Sequence, residues 1–356
     1  MKRIALIVIA LMFVPAVMCT KLKKDDCNLI SRGAMSLEEL RREPITFELD
    51  IPYADSDNPR QRLDLYLPKN PNSKKLPVIV FFHGGGWMKG DKSKVAGWLM
   101  PFLCTGLYAG VSADYRLSGE AQWPAQIYDS KAVIRWVRAN ASKYGLDADH
   151  IGVWGISAGA HLVLMLGVSG NVPELEGDVG RYKGVSSKVA AVVNFFGVSD
   201  LLAIIGQPGH IDSTRSDDPM AKLIGGGLHE NPDKAKAASP ITYVTANDPP
   251  VLTVHGTKDR TVPYDQAVRM DATLRKAGVV SYFITVKRGG HGDCGTAADD
   301  RVKAFFDKYL RGEDVEISTV PLNKPYSLIN DEVMVEKPNA QQGTPLGAGQ
   351  FFCLNL

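Results

Sequence analysis

Residues 77–82 (PVIVFF) are all apolar. A short unbroken run of this kind, rich in β-branched and aromatic side chains, fits a strand covered on both faces rather than one with a wet side. Such a strand needs a layer above and a layer below, so helices must flank the sheet that holds it. The chain supplies them in alternation. Strand-like runs at 108–113, 151–154, 189–196, 250–255 and 281–286 are interleaved with helix-like stretches at 124–144, 161–168, 264–277 and 297–310. The stretch 124–144 opens at Pro124, carries Ile127, Ala132, Val133, Trp136 and Val137, and stops at Gly145, which are helix start, stripe and stop signals. Residues 45–51 and 62–67 instead alternate apolar and polar, as a half-exposed hairpin would. The expectation is an α/β fold with a mostly parallel central sheet and no internal repeat.

The length of 356 residues and 45% hydrophobic content suit one large globular unit or two average ones. With 41 Lys+Arg against 39 Asp+Glu the formal charge is only +2. That balance offers nothing special to a nucleic-acid backbone or an anionic membrane. Lys2 and Arg3 precede an apolar run at 4–14, then Pro15 and a short exit to Cys19, the pattern of a secretory signal peptide. The expected organisation is a signal at 1–19, a mobile leader at 20–44, a catalytic domain at 45–313 with a lid-like insertion at about 200–248, and a C-terminal extension at 314–356. Export to a periplasmic or extracellular space follows. Lipidation of Cys19 is the less favoured route, because Met18 is bulky at the processing position. Cys27, Cys104, Cys294 and Cys353 allow up to two disulfides in three pairings, although the apolar setting of Cys104 favours a buried free thiol. No CxxC or HExxH occurs, so neither a metal nor a cofactor is implied.

Gly155-Ile156-Ser157-Ala158-Gly159 lies between a strand-like and a helix-like segment. A GxSxG in that context is a nucleophile elbow, in which flanking glycines permit a turn too sharp for a β-carbon. His83-Gly84-Gly85-Gly86-Trp87 follows PVIVFF directly, and bare glycines there present amides toward a developing oxyanion. Gly84 or Gly85, with Ala158, are the expected donors, and His83 is expected to hold the loop. A phosphate-loop reading through Gly85, Gly90, Lys92 and Ser93 fails because Asp91 intervenes between Gly90 and Lys92. In α/β-hydrolases the chain order is serine, acid, histidine. After Asp259 only His291 remains, on a loop past the strand at 281–286. Asp200 is the rival acid. His161 and His255 read as packing or hydrogen-bonding residues, and His150, His210 and His229 as loop residues.

These motifs resemble the α/β-hydrolase esterases with an HGGGW oxyanion loop, related to hormone-sensitive-lipase-type carboxylesterases. They look closest to the branch with bifunctional feruloyl and acetyl xylan esterases. The resemblance runs from about Leu63 to Leu310 through HGGGW, DYRL at 114–117, WPAQ at 123–126, GISAGAHL, HGTKDRTVP and GGHG. It implies a serine carboxylesterase with Ser157, Asp259 and His291 as triad, acting on short acyl esters, including acetyl or feruloyl esters of plant polysaccharide. Trp87 and Trp123 are candidate flat surfaces for a sugar or aromatic acyl group. An aryl-formamidase-like amide hydrolase, or a non-catalytic binding protein on the same fold, are the alternatives. The elbow departs from the GDSAG form common among hormone-sensitive-lipase-like members.

Overall fold

The computed structural model describes residues 34–207 and 217–324. The signal segment, Cys19, Cys27, His210 and Cys353 lie outside that range. The described strands are β1 (Ile45–Pro52), β2 (Arg62–Pro68), β3 (Leu76–Phe82), β4 (Ala109–Ala113), β5 (Leu146–Ile156), β6 (Ala191–Phe195), β7 (Val251–Gly256), β8 (Ser281–Lys287) and β9 (Leu322–Asn323). They form one sheet in the order β1-β2-β4-β3-β5-β6-β7-β8-β9. β2 runs antiparallel to β1 and β4, and every other neighbouring pair is parallel. This is the α/β-hydrolase architecture.

Helices cover both faces: α1 (Leu37–Arg42), α2 (Ala96–Leu103), α3 (Ala125–Ala139), α4 (Ala141–Tyr144), α5 (Ala158–Val168), α6 (Pro219–Ile224), α7 (Pro232–Ala237), α8 (Asp265–Lys276) and α9 (Gly295–Arg311). Alternate side chains of a strand point to opposite faces, and β3 divides accordingly. Val78, Val80 and Phe82 join a core with α3, α5 and α8 residues such as Val133, Leu162 and Met270. Ile79 and Phe81 join the other core, with Leu99 and Phe102 of α2 and Phe305 and Phe306 of α9. All seven residues of β3 are buried, as the PVIVFF run requires.

Several boundaries differ from the sequence expectation, each for a visible reason. The helix at 124–144 breaks at Asn140 into α3 and α4, and Gly145 ends the second piece in the left-handed conformation (φ 67°). β5 extends back to Leu146 because its polar start, 147–150, is only partly covered. α2 lacks a polar face and contains Pro101, so it shows no amphipathic period. The leader is not wholly mobile: Ser36 and Glu39 form a reciprocal capping box on α1, and Met35 and Leu40 are buried. The extension begins inside the fold, with Ile317 buried and β9 paired to β8. Cys104 is disulfide-bonded, which corrects the free-thiol expectation.

The insertion is helical where it is described. α6, α7 and the 3-10 turn Pro240–Tyr243 each begin with a proline at the first helical positions, after Asp218, Asn231 and Ser239. Leu223, Ile224, Leu228, Ala235 and Ala238 enter the core shared with α3 and α5. Where it is described, the insertion is therefore packed against the domain.

Candidate active site

The carboxyl ends of β3, β5, β7 and β8 converge on one place, and each delivers a loop to it. β5 ends at Ile156 and α5 begins at Ala158, so Ser157 occupies the whole turn, at φ 52° and ψ −119°. A non-glycine residue there carries strain of about 1–3 kcal/mol. Two glycines make the turn sterically possible. A β-carbon on Gly155 would lie 2.3 Å from Gly159 O, and one on Gly159 would lie 2.1 Å from Phe82 O. The Ser157 amide donates to Phe195 O (2.9 Å) and its carbonyl accepts from His161 N (3.0 Å). Both ends of the turn are thereby fixed.

His291 stands on the loop after β8. Its Nε2 is 3.1 Å from Ser157 Oγ and its Nδ1 is 2.8 Å from Asp259 Oδ2. Asp259, on the loop after β7, is fully buried at the side chain. Its Oδ1 accepts from the amides of Thr261 (2.8 Å) and Val262 (2.9 Å), and His255 Nε2 lies 3.2 Å from Oδ2. Burial alone would raise the carboxyl's pKa. Hydrogen bonds from His255 and His291, the His291 charge and the Val262 amide outweigh it, and Asp259 is held well below the usual carboxylate range. A carboxylate accepts only, so the His291 proton belongs on Nδ1 and Nε2 is left as an acceptor facing the hydroxyl. Such a chain can take a proton from the serine as it attacks a carbonyl.

The glycine loop lies against this chain. A β-carbon on Gly84 would sit 3.2 Å from Ser157 Cβ, which brings the loop backbone beside the hydroxyl. Met88 N and Lys89 N both donate to Gly85 O (3.2 Å each), closing the loop into a tight turn. The Ala158 amide is at the first position of α5, where a helix leaves N–H groups without an intrahelical partner. His83 holds the loop from inside. Its ring stacks on Tyr115 (4.4 Å), its Nδ1 is 2.8 Å from Gly84 O, and its own carbonyl accepts from Tyr115 Oη (2.9 Å).

A model of the BD-FAE family matches residues 63–274, which is more than half of the chain. The chain belongs to the BD-FAE family. The match takes in the glycine loop, Ser157 and Asp259 and stops short of His291, which is placed by geometry. The chain is 31% identical to Esterase LipC of Mycobacterium tuberculosis, over 66% of this chain and 58% of LipC. It is 34% identical to Esterase LipQ of the same organism, over 65% of this chain and 54% of LipQ. The chain thus spans little more than half the length of these curated relatives. Among solved structures, a truncated carbohydrate esterase from gut microbiota superposes with a TM-score of 0.69 at 34% identity, covering 75% of this chain and 96% of that one. A bifunctional GH43-CE protein from Bacteroides eggerthii gives a TM-score of 0.69 at 36% identity, covering 74% and 38%.

Other expected residues in this BD-FAE chain fall elsewhere. Trp87 is no open platform: it is 2% exposed and its indole N–H donates to His161 Nδ1 (3.2 Å). Asp200 turns its carboxylate to the Ala203 amide (3.0 Å), capping a local turn. Lys92 is paired with Asp50 (2.7 Å) and Asp64 (3.0 Å), so it is committed to carboxylates rather than a phosphate. His150 pairs with Asp147 at the surface (2.9 Å), and His229 is exposed. Phe196, absent from the sequence expectation, sits at φ 47° with its ring 4.6 Å from that of His291. Only its place at the end of β6 would have signalled it. A cavity of about 530 Å³ lies between the insertion and the start of α3, lined by Trp123, Pro124, Leu175, Ile224 and Tyr243 among others. Ser157, Asp259 and His291 do not line it, so the cavity does not contain the site.

Proposed function

We propose that this chain is a carboxylic ester hydrolase that works by two-step acyl transfer at Ser157. The observation that carries the reading is the continuous hydrogen-bonded chain from Ser157 Oγ through His291 to Asp259, at 3.1 and 2.8 Å. His291 takes the serine proton as Oγ attacks the ester carbonyl, and Asp259 holds the ring in the right tautomer and balances its charge. The amides of Gly84 or Gly85 and of Ala158 receive the oxyanion. The proton then passes to the departing alcohol, and water, activated by the same imidazole, releases the acid.

For substrate we favour short acyl esters, with acetyl or feruloyl groups on plant polysaccharide as the natural class. The likeness to carbohydrate esterases supports this, as does the absence of a strong net charge. The signal pattern at 1–19 supports a place outside the cytoplasm, where cell-wall fragments are met.

A panel of acetylated xylan, methyl ferulate, butyrate esters and N-formylkynurenine tests the proposal. Turnover of the acetyl or feruloyl substrates, abolished in Ser157→Ala, is the expected result. Preference for N-formylkynurenine would transfer the same triad to an amide substrate, and unchanged turnover in Ser157→Ala would remove Ser157 from the chemistry.

A further inference from the structure

The oxyanion donors assigned above come from two separate elements. Gly84 and Gly85 ride on the loop after β3, whereas Ala158 opens α5. A hole made of two parts works only if the parts are held within about half an ångström of the productive geometry. Something must fix the loop against the helix.

One side chain does this directly. His161 stands one turn into α5, its amide bonded to Ser157 O. It is wholly buried, and both ring nitrogens are used. Nδ1 lies 3.2 Å from the indole nitrogen of Trp87, the residue that follows the three loop glycines. Nε2 lies 2.7 Å from Ala238 O, just after α7 in the insertion. An indole N–H can only donate and a carbonyl can only accept. These two partners therefore fix a neutral imidazole with its proton on Nε2. Burial is the dominant cause that lowers the pKa of this ring to about 4, in keeping with the neutral form.

The insertion presses on the same loop a second time. A β-carbon on Gly86 would lie 3.2 Å from Pro219 Cβ, at the start of α6. Trp87 itself is at φ 57°, a conformation its backbone would not hold unaided. Its carbonyl accepts from Ser118 N (2.8 Å), and its indole is tied to His161. Trp123, whose ring meets His161 edge-on at 5.5 Å, closes the remaining side.

We propose that His161 is a positioning residue of this active site: through Trp87 on one side and Ala238 on the other, it sets the spacing between the glycine loop and the first turn of α5, and so the geometry of the oxyanion hole. This rests on the acyl-transfer reading above. Its effect belongs to the transition state, where the oxyanion exists, more than to substrate binding.

The test is steady-state kinetics on p-nitrophenyl acetate with the full chain, at a temperature well below each variant's unfolding midpoint. His161→Phe removes the acceptor for Trp87 and the donor for Ala238. Its kcat is expected to fall about tenfold or more with KM within about threefold, since a misplacement of about 1 Å can cost on the order of a hundredfold. His161→Gln, whose amide offers one acceptor and one donor, is expected to recover most of that loss. Trp87→Phe keeps an aromatic ring, though a smaller one, and deletes the donor, and should lower kcat by a similar factor. The double variant Trp87→Phe/His161→Phe should be no slower than the worse single one, because both break one bridge. Folded His161→Phe with kcat within twofold of wild type, or losses that multiply in the double variant, overturns the proposal. If His161→Phe does not fold, Trp87→Phe decides: a lowered kcat supports the bridge and an unchanged one overturns it. Ser157→Ala run alongside separates the two levels. Activity surviving in Ser157→Ala overturns the acyl-transfer reading itself, whereas a dead Ser157→Ala beside a fully active His161→Phe overturns only the bridge.

Discussion

Ser157 stands in a conformation that its side chain does not favour, with Gly155 and Gly159 making room on either side. That constraint was legible in the sequence, because few reasons other than a turn of this sharpness place two glycines around a serine between a buried strand and a helix. The acid was legible for a different reason. Asp259 and Asp200 both follow strands, but Asp259 stands in HGTKDRTVP with His291 the one histidine still to come in the chain, the order that serine, acid and histidine take. Asp259→Asn is expected to lower kcat by about a thousandfold or more, by analogy with the loss seen when a triad carboxylate is neutralised. Asp200→Asn should stay within about twofold, as expected for a carboxylate whose bond goes to the Ala203 amide and not to His291; equal losses in p-nitrophenyl acetate turnover would contradict the assignment. The low pKa of Asp259 gives the sign of its pH dependence. A carboxyl depressed on folding stabilises the native state above its unfolded pKa and loses that contribution as pH falls through the folded value. The direction of Trp87 was not legible. A tryptophan after three glycines offers an indole to substrate or to the interior equally well on paper, and only His161, 74 positions away, decides.

At the scale of elements, the insertion departs furthest from the sequence expectation. Its helices are about six residues long, too short to show a hydrophobic period. The signal that was present is local: Asp218-Pro219, Asn231-Pro232 and Ser239-Pro240 each place a proline where a helix starts. His161 couples this element to the domain and makes the coupling sensitive to acid. Its folded pKa of about 4 lies below the ordinary imidazole value of 6.5. The unfolded chain therefore binds the extra proton first as pH drops, and stability is lost between about pH 6.5 and pH 4. The shift corresponds to about 3 kcal/mol when fully expressed. Urea unfolding at pH 7.5 and pH 4.5 should show the midpoint falling more in wild type than in His161→Gln; equal falls would mean that this ring does not sense the change.

For the whole molecule, the apolar runs were enough to anticipate a parallel sheet covered on both faces, because a strand such as β3 cannot be stable with one face wet. Outside the insertion, α2 and β9 escaped because their place depends on a neighbour rather than on their own pattern, whereas α1 carries a local signal in its Ser36–Glu39 capping box. β9 is two residues paired to the end of β8, and α2 is apolar all round because it packs beneath β2 and β4. The two cores share the sheet, so a defect in one should be felt in the stability of the whole. Phe306 is fully buried, and a β-carbon on Gly152 of β5 would come within 2.7 Å of its ring. Phe306→Ala is expected to cost about 3–5 kcal/mol, the usual range for a buried phenylalanine. A single, earlier denaturant transition with preserved activity at low temperature is the predicted behaviour. Two separated transitions would mean that the faces unfold independently.

The central claim is that Ser157 is a nucleophile activated by His291, and covalent capture tests it most directly. The protein would be treated with a fluorophosphonate, and the adduct located by peptide mass spectrometry in wild type and in His291→Ala. The account predicts one adduct, on Ser157, whose formation slows by orders of magnitude in His291→Ala. No adduct on wild type, an adduct on another residue, or labelling of Ser157 at an unchanged rate without His291 would contradict it.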